Sequence, residues 1–199
     1  MTSIGQRFHP LVWQWFQNRF GHATPAQEQG WPVLLRREHT LIAAPTGGGK
    51  TLAAFFVAIN ELVTEALDHR LEDGTQVLYL SPLRALSNDI KKNLEEPLAE
   101  ISALLEKEGR RFQPIRVGLR TGDTTSYERT KLIKRPPHIL VTTPESLFLM
   151  LTSPRSAATL AAVKTVIVDE IHALARDKRG THMSLSLEHL HNICQVPPL

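Results

Sequence analysis

The run Ala44-Pro45-Thr46-Gly47-Gly48-Gly49-Lys50-Thr51 leaves this chain few folds to choose from, because of what flanks it. Leu41-Ile42-Ala43 before it is apolar and reads as a short buried strand. Leu52-Ala53-Ala54-Phe55-Phe56 after it reads as the body of a helix. Strand, glycine loop and helix in that order build an anion cradle. Consecutive glycines let main-chain N–H groups converge where a Cβ would stand in the way. A helix opening at Gly49 or Lys50 adds unpaired N–H groups and the positive end of its dipole. In such a loop Thr46, Gly47, Gly48 and Gly49 surround the phosphates of ATP, Lys50 reaches the β and γ groups, and the Thr51 hydroxyl holds Mg²⁺. The full pattern asks for glycine first, where this chain has Ala44. Alone, the run would also serve as a glycine turn.

A second site narrows the choice. Val166-Ile167-Val168 is apolar and β-branched, as a buried parallel strand should be, and it ends in Asp169-Glu170-Ile171-His172. Carboxylates at the carboxyl end of such a strand lie where open α/β sheets place their ligands. Asp169 is expected to orient Mg²⁺, largely through water, and Glu170 to take the proton from water attacking the γ-phosphate. Phosphoryl transfer is mostly positioning and charge neutralisation, so lysine, metal and carboxylates are the parts it needs. Without Lys50-Thr51 upstream, Asp-Glu after a strand would read as a helix-capping pair.

Alternation along the rest of the chain gives the fold class. Strands are predicted at Leu41–Ala43, Val77–Leu80, Ile115–Leu119, Ile139–Val141 and Val166–Val168. Helices fall between them at Lys50–Leu67, Leu83–Lys107 (kinked or broken at Pro97), Ser126–Lys134 and Glu145–Leu151, with a last one at His182–Asn192. That order implies right-handed crossovers and an α/β fold, a mostly parallel sheet with helices on both faces. Ahead of it, Leu11–Phe20 reads as an aromatic helix with Trp13, Phe16 and Phe20 on one face, stopped by Gly21. Thr24-Pro25 caps and starts another that runs to about Leu35.

Composition excludes several classes. A lone cysteine, Cys194, rules out an internal disulfide and suits the reducing cytoplasm. No apolar run approaches membrane-spanning length, and no secretory leader opens the chain, so a membrane role is not expected. The formal charge of +3 permits a polyanionic partner without requiring one. Glu188-His189-Leu190-His191 lacks metal-ligand spacing. The tryptophans Trp13, Trp15 and Trp31 read as packing residues before base-stacking ones, and Arg110-Arg111 as solvated loop charge.

With these residues in view, the chain resembles the first RecA-like domain of a superfamily 2 helicase of the DEAD/DEAH-box type, a P-loop NTPase fold. Phe20-Gly21-His22-Ala23-Thr24-Pro25-Ala26-Gln27 resembles the element in which a glutamine, here Gln27, recognises adenine. Ser81-Pro82-Leu83-Arg84, Thr121-Gly122-Asp123 and Thr142-Thr143-Pro144-Glu145 resemble the turns that grip a nucleic-acid backbone. The resemblance thus implies strand contacts at Pro82, Arg84, Thr121, Gly122, Thr143 and Pro144, which position without reading bases. It also implies a coupling role for His172. Asp169–Leu174, with Lys178-Arg179-Gly180-Thr181-His182 and Leu185–Leu190, is similar to the large helicase-related (Lhr) proteins of the Ski2-like group. Membership implies a DNA-dependent ATPase that moves 3′ to 5′ on single-stranded or partly duplex nucleic acid, with DNA favoured and a role in DNA repair.

The expected organisation is a helical segment with the adenine element at 1–36 and an incomplete first RecA-like domain at 37–199. Nothing after Glu170 resembles the family's Ser-Ala-Thr element, and a second RecA-like domain is expected only in a longer protein. The strand of that element would lie between those of the phosphate loop and the Asp-Glu box. Its loss predicts either a gap in the sheet or collapse of the two strands onto each other, and a truncated chain with slow turnover or none. A non-catalytic nucleotide- and nucleic-acid-binding module, and a P-loop kinase of small molecules, are the other readings these residues allow.

Overall fold

The computed structural model describes residues 4–45, 47–81, 84–174 and 178–199, with 84–93 and 174 described as backbone. They form two compact units. One comprises the chain up to Leu71 with Glu96–Pro114 and Leu199, and the other comprises Glu72–Glu95 and Ile115–Pro198.

The first unit is helical. After a 3₁₀ turn at Ile4–Arg7 come α1 (Pro10–Phe20), α2 (Pro25–Leu34) and α3 (Lys50–Leu67), joined by the carboxyl-terminal part of α4 (Arg84–Lys107). Gly21 ends α1 with φ +73°, its N–H on the Gln17 carbonyl, as its place in the sequence predicts. The buried face of α1 carries Val12, Trp15 and Phe16, whereas Phe20 is 47% exposed. The helix is turned this way because the Trp15 indole N–H donates to Glu100 Oε2 at 2.6 Å and Arg19 pairs with the same carboxylate. Trp31 is fully buried, with Phe8, Phe16 and Phe56 rings 5.1–5.2 Å from its own. Its N–H donates to the Ala53 carbonyl at 3.0 Å, tying α2 to α3. Trp15 and Trp31 are therefore core, and half-buried Trp13 packs beside Phe8, Phe16 and Trp31. α4 runs unbroken through Pro97, so the break expected there does not occur; Pro97 is itself buried.

The second unit holds a parallel sheet of four strands in the order β2-β3-β1-β4: β1 is Val77–Leu80, β2 Val117–Arg120, β3 Ile139–Thr142 and β4 Thr165–Val168. Every residue of β1 and β3 is buried, as strands covered on both faces require. Between and after them lie α5 (Ser126–Lys134), α6 (Pro144–Leu151), α7 (Pro154–Ala158), α8 (Ile171–Leu174) and α9 (Lys178–Ile193). Leu78, Leu80 and Leu140 form one core with Leu147, Met150 and Leu151 of α6 and Leu190 of α9.

Two strand predictions need correction. Leu41–Ala43 is not in the sheet; Leu41 is 79% exposed, and no ladder partner engages the segment among the described residues. An apolar run becomes a strand only when its N–H and C=O groups find a neighbour. Of the two outcomes expected, collapse onto β4 finds no ladder among the described residues, where β4 pairs with β1. The strand predicted at Ile115–Leu119 starts two residues later because the Arg116 N–H is taken by the His138 ring at 3.0 Å. That imidazole is fully buried, and burial first and Arg116 second push its pKa down to about 4, so it is neutral.

Candidate nucleotide and nucleic-acid site

Each glycine of the phosphate loop meets a different physical demand. Gly47 and Gly49 sit at φ +81° and +77°, where a side chain is strained. Gly48 has ordinary φ, but its N–H donates to the Pro45 carbonyl at 2.9 Å, and a Cβ there would stand 2.9 Å from that oxygen. A loop wound this tightly, opening directly into α3, is a cradle that side chains would fill, and its residues fit a phosphate-bearing ligand. Lys50 folds back over it, with Nζ donating to the carbonyls of Ala44 at 2.5 Å and Pro45 at 3.0 Å. Thr51 is exposed on the first turn of α3, where its hydroxyl can meet a metal ion. Thr46 lies outside the described residues.

The loop is docked on the cap of α2. Thr24 and Gln27 form a reciprocal capping box, Gln27 Oε1 accepting from the Thr24 N–H at 2.9 Å. From that box Thr24 Oγ1 donates to the Gly48 carbonyl at 3.0 Å and Gln27 Nε2 to the Gly49 carbonyl at 3.5 Å. Gln27 is 3% exposed. Its amide therefore braces the loop main chain, a duty that sequence reasoning, which assigned it to adenine, did not foresee. The Thr24 cap was legible, but its partner across the turn was not.

Asp169 continues the sheet, its N–H on the Leu80 carbonyl at 2.9 Å. One carboxylate oxygen accepts from the Glu170 N–H at 2.9 Å, and the other accepts from the hydroxyl of Tyr79 on the neighbouring strand. Tyr79 was missed, although a tyrosine inside an apolar strand signals a hidden polar partner. Burial first, and then Asp169, raise its pKa, so the phenol keeps the proton it donates. Glu170 stands at φ +50°, and its carboxylate lies 3.2 Å from His172 Nε2, whose side chain is 80% exposed. Replacing Tyr79 with Phe removes one anchor of Asp169. We expect a loss of about 1 kcal/mol in urea unfolding and a higher Mg²⁺ requirement for nucleotide binding. An unchanged requirement would deny Tyr79 any hold on the metal-side carboxylate.

The parallel register brings the other predicted residues to one edge of the sheet. Arg120, Thr142, Leu80 and Val168 stand level, so Thr121, Thr143, Ser81 and Asp169 follow them side by side. Thr121 Oγ1 accepts from the Asp123 N–H, and the Gly122 carbonyl accepts from Arg129. Thr143 caps α6 by accepting from the Ser146 N–H, and Pro144 is buried behind it. These side chains shape the turns. Pro82 and the Arg84 side chain lie outside the described residues.

Comparison with known proteins identifies the family. Residues 24–198 match the DEAD/DEAH box helicase family. The chain is 53% identical over 182 residues to ATP-dependent helicase Lhr-Core protein 2 of Thermococcus barophilus, covering 92% of this chain and 21% of that one. It is 48% identical over 187 residues to the Lhr helicase/uracil glycosylase of Escherichia coli, covering 92% and 12%. The structure of Mycobacterium smegmatis helicase Lhr bound to ssDNA and AMP-PNP superposes with a TM-score of 0.91 at 48% identity, over 98% of this chain and 24% of that one. This chain thus spans a quarter or less of each of these relatives.

Proposed function

This chain belongs to the DEAD/DEAH box helicase family, and from that premise we propose that it is the ATP-binding half of a nucleic-acid-dependent ATPase. Its organisation is then a helical segment at 1–36 and a first RecA-like domain at 37–199, working with a second such domain in a longer protein. The observation that carries this reading is the phosphate loop, with two left-handed glycines, a third that admits no Cβ, and Lys50 folded over its carbonyls. Lys50 and the loop amides hold the phosphates of ATP, and Gln27 lies beside the loop to meet the base. Thr51 and Asp169 are the residues that would hold Mg²⁺, which would neutralise phosphate charge. Glu170 accepts the proton of the attacking water, and His172, 3.2 Å from it, links its state to the chain beyond.

The turns after β1, β2 and β3 contact the backbone of single-stranded nucleic acid. DNA is favoured because the similar Mycobacterium smegmatis helicase was captured on ssDNA. The whole protein translocates on one strand and unwinds duplex, in the cytoplasm and in DNA repair. Among the described residues no helix is long and apolar enough to cross a membrane.

Titration with a fluorescent ATP analogue and Mg²⁺, then phosphate release with and without single-stranded DNA, tests this. Lys50→Ala is expected to weaken binding tenfold or more, about 1.4 kcal/mol or above. Equal binding by K50A would overturn the nucleotide reading. Binding without turnover would mark a non-catalytic module, and transfer to a metabolite a different P-loop enzyme.

A further inference from the structure

A cavity of about 500 Å³, open to solvent, lies in the first unit where the start of α1 and the ends of α3 and α4 line it. Its size is that of a small-molecule site, roughly 300–1,000 Å³. α3 has 18 residues, so its far end is roughly 27 Å from Lys50. The cavity is therefore a separate place from the phosphate loop, and nothing about it depends on the nucleotide reading.

Its lining charge is not balanced. Asp68 is neutralised by Arg70 at 2.6 Å. Arg110 and Arg111 line the cavity with no hydrogen-bonded or ion-paired acidic partner among the described residues. The carbonyls that would make two helix ends negative are capped. Arg70 and His69 N–H groups close α3 on Glu65 and Ala66, and Arg110 and Gly109 close α4 on Leu105 and Glu106. His9 caps the first turn of α1, whose amino end adds positive potential. His9 and Arg110 both line the cavity, and burial first and then Arg110 lower the pKa of that imidazole.

The two caps differ in one residue. α4 uses Gly109 at φ +69°, the usual solution, while α3 puts His69 at φ +56°, where a side chain is strained. The chain thus keeps an imidazole on the cavity wall at a position that favours glycine.

We propose that this cavity binds a phosphate-bearing anion, held by Arg110 and Arg111 with His69 and the amino end of α1 beside them. The phosphate belongs either to a nucleic-acid strand or to a free phosphorylated small molecule, and the same chemistry serves both. Inorganic pyrophosphate is the probe, titrated into the 199-residue chain carrying Lys50→Ala so that the phosphate loop contributes little. Histidine imidazole signals and calorimetry report binding. Adding R110Q and R111Q is expected to lower affinity tenfold or more with the melting temperature unchanged. His69→Gly is expected to raise the melting temperature and lower affinity together, a pairing that a structural role alone would not produce. Competition by a short oligothymidylate assigns the phosphate to a strand; pyrophosphate binding without competition assigns it to a small molecule. No pyrophosphate binding, or equal affinity with and without the two arginines, overturns the proposal.

Discussion

Gly49→Ala is expected to weaken nucleotide binding about a hundredfold and to lower the melting temperature, whereas Gly47→Ala does less of both. Both positions are left-handed, at φ +77° and +81°, and an L-residue there costs about 1–2 kcal/mol. Only Gly49 is also crowded. A Cβ there would lie 2.8 Å from Gln27 Nε2 and 3.0 Å from Thr24 Oγ1, while at Gly47 it would meet nothing within 4 Å. To admit the methyl group, the loop must lift off the α2 cap and lose bonds from Thr24 to Gly48 and from Gln27 to Gly49. Each is worth about 0.5–1.5 kcal/mol. Together with the backbone strain this reaches about 3 kcal/mol, or roughly a hundredfold. Fluorescent-nucleotide titration and thermal melts of the two variants decide it. Equal losses at Gly47 and Gly49 would mean that the docking of loop on cap carries no weight.

The second large effect is on stability. Trp31→Ala should cost about 3–5 kcal/mol, a large part of the roughly 5–15 kcal/mol that holds a domain together. Trp31 is fully buried at the centre of the aromatic cluster and bonds the Ala53 carbonyl. Its loss leaves a cavity under the helix that begins with the phosphate loop. Trp31→Phe should recover part of the packing but not the hydrogen bond, and so fall between. Urea unfolding measures all three. A midpoint that barely moves, with single-stranded DNA binding lost instead, would make Trp31 a stacking platform and not core.

What could be read from the sequence was whatever a few neighbouring residues decide among themselves. The bounds of α3, α5 and β1 follow from apolar period, caps and β-branched runs. The Thr24 cap, the Gly21 stop and the glycine loop are equally local. β3 and β4 differ from prediction by one residue at an end, within what fraying ends allow.

Tertiary structure decided everything that needs a partner far along the chain. The apolar Leu41–Ala43 looks like a strand, but strandhood is a property of pairs, and it has no pair among the described residues. Gln27 grips Gly49 22 residues away, and Tyr79 holds Asp169 90 residues away. The cavity gathers His9, His69 and Arg110 from the ends of three helices. Each depends on how elements come together, since hydrogen bonds and charges act over a few ångströms whatever the separation in sequence. Residue types announced the loop and the acidic pair; only the folded chain chose what braces them.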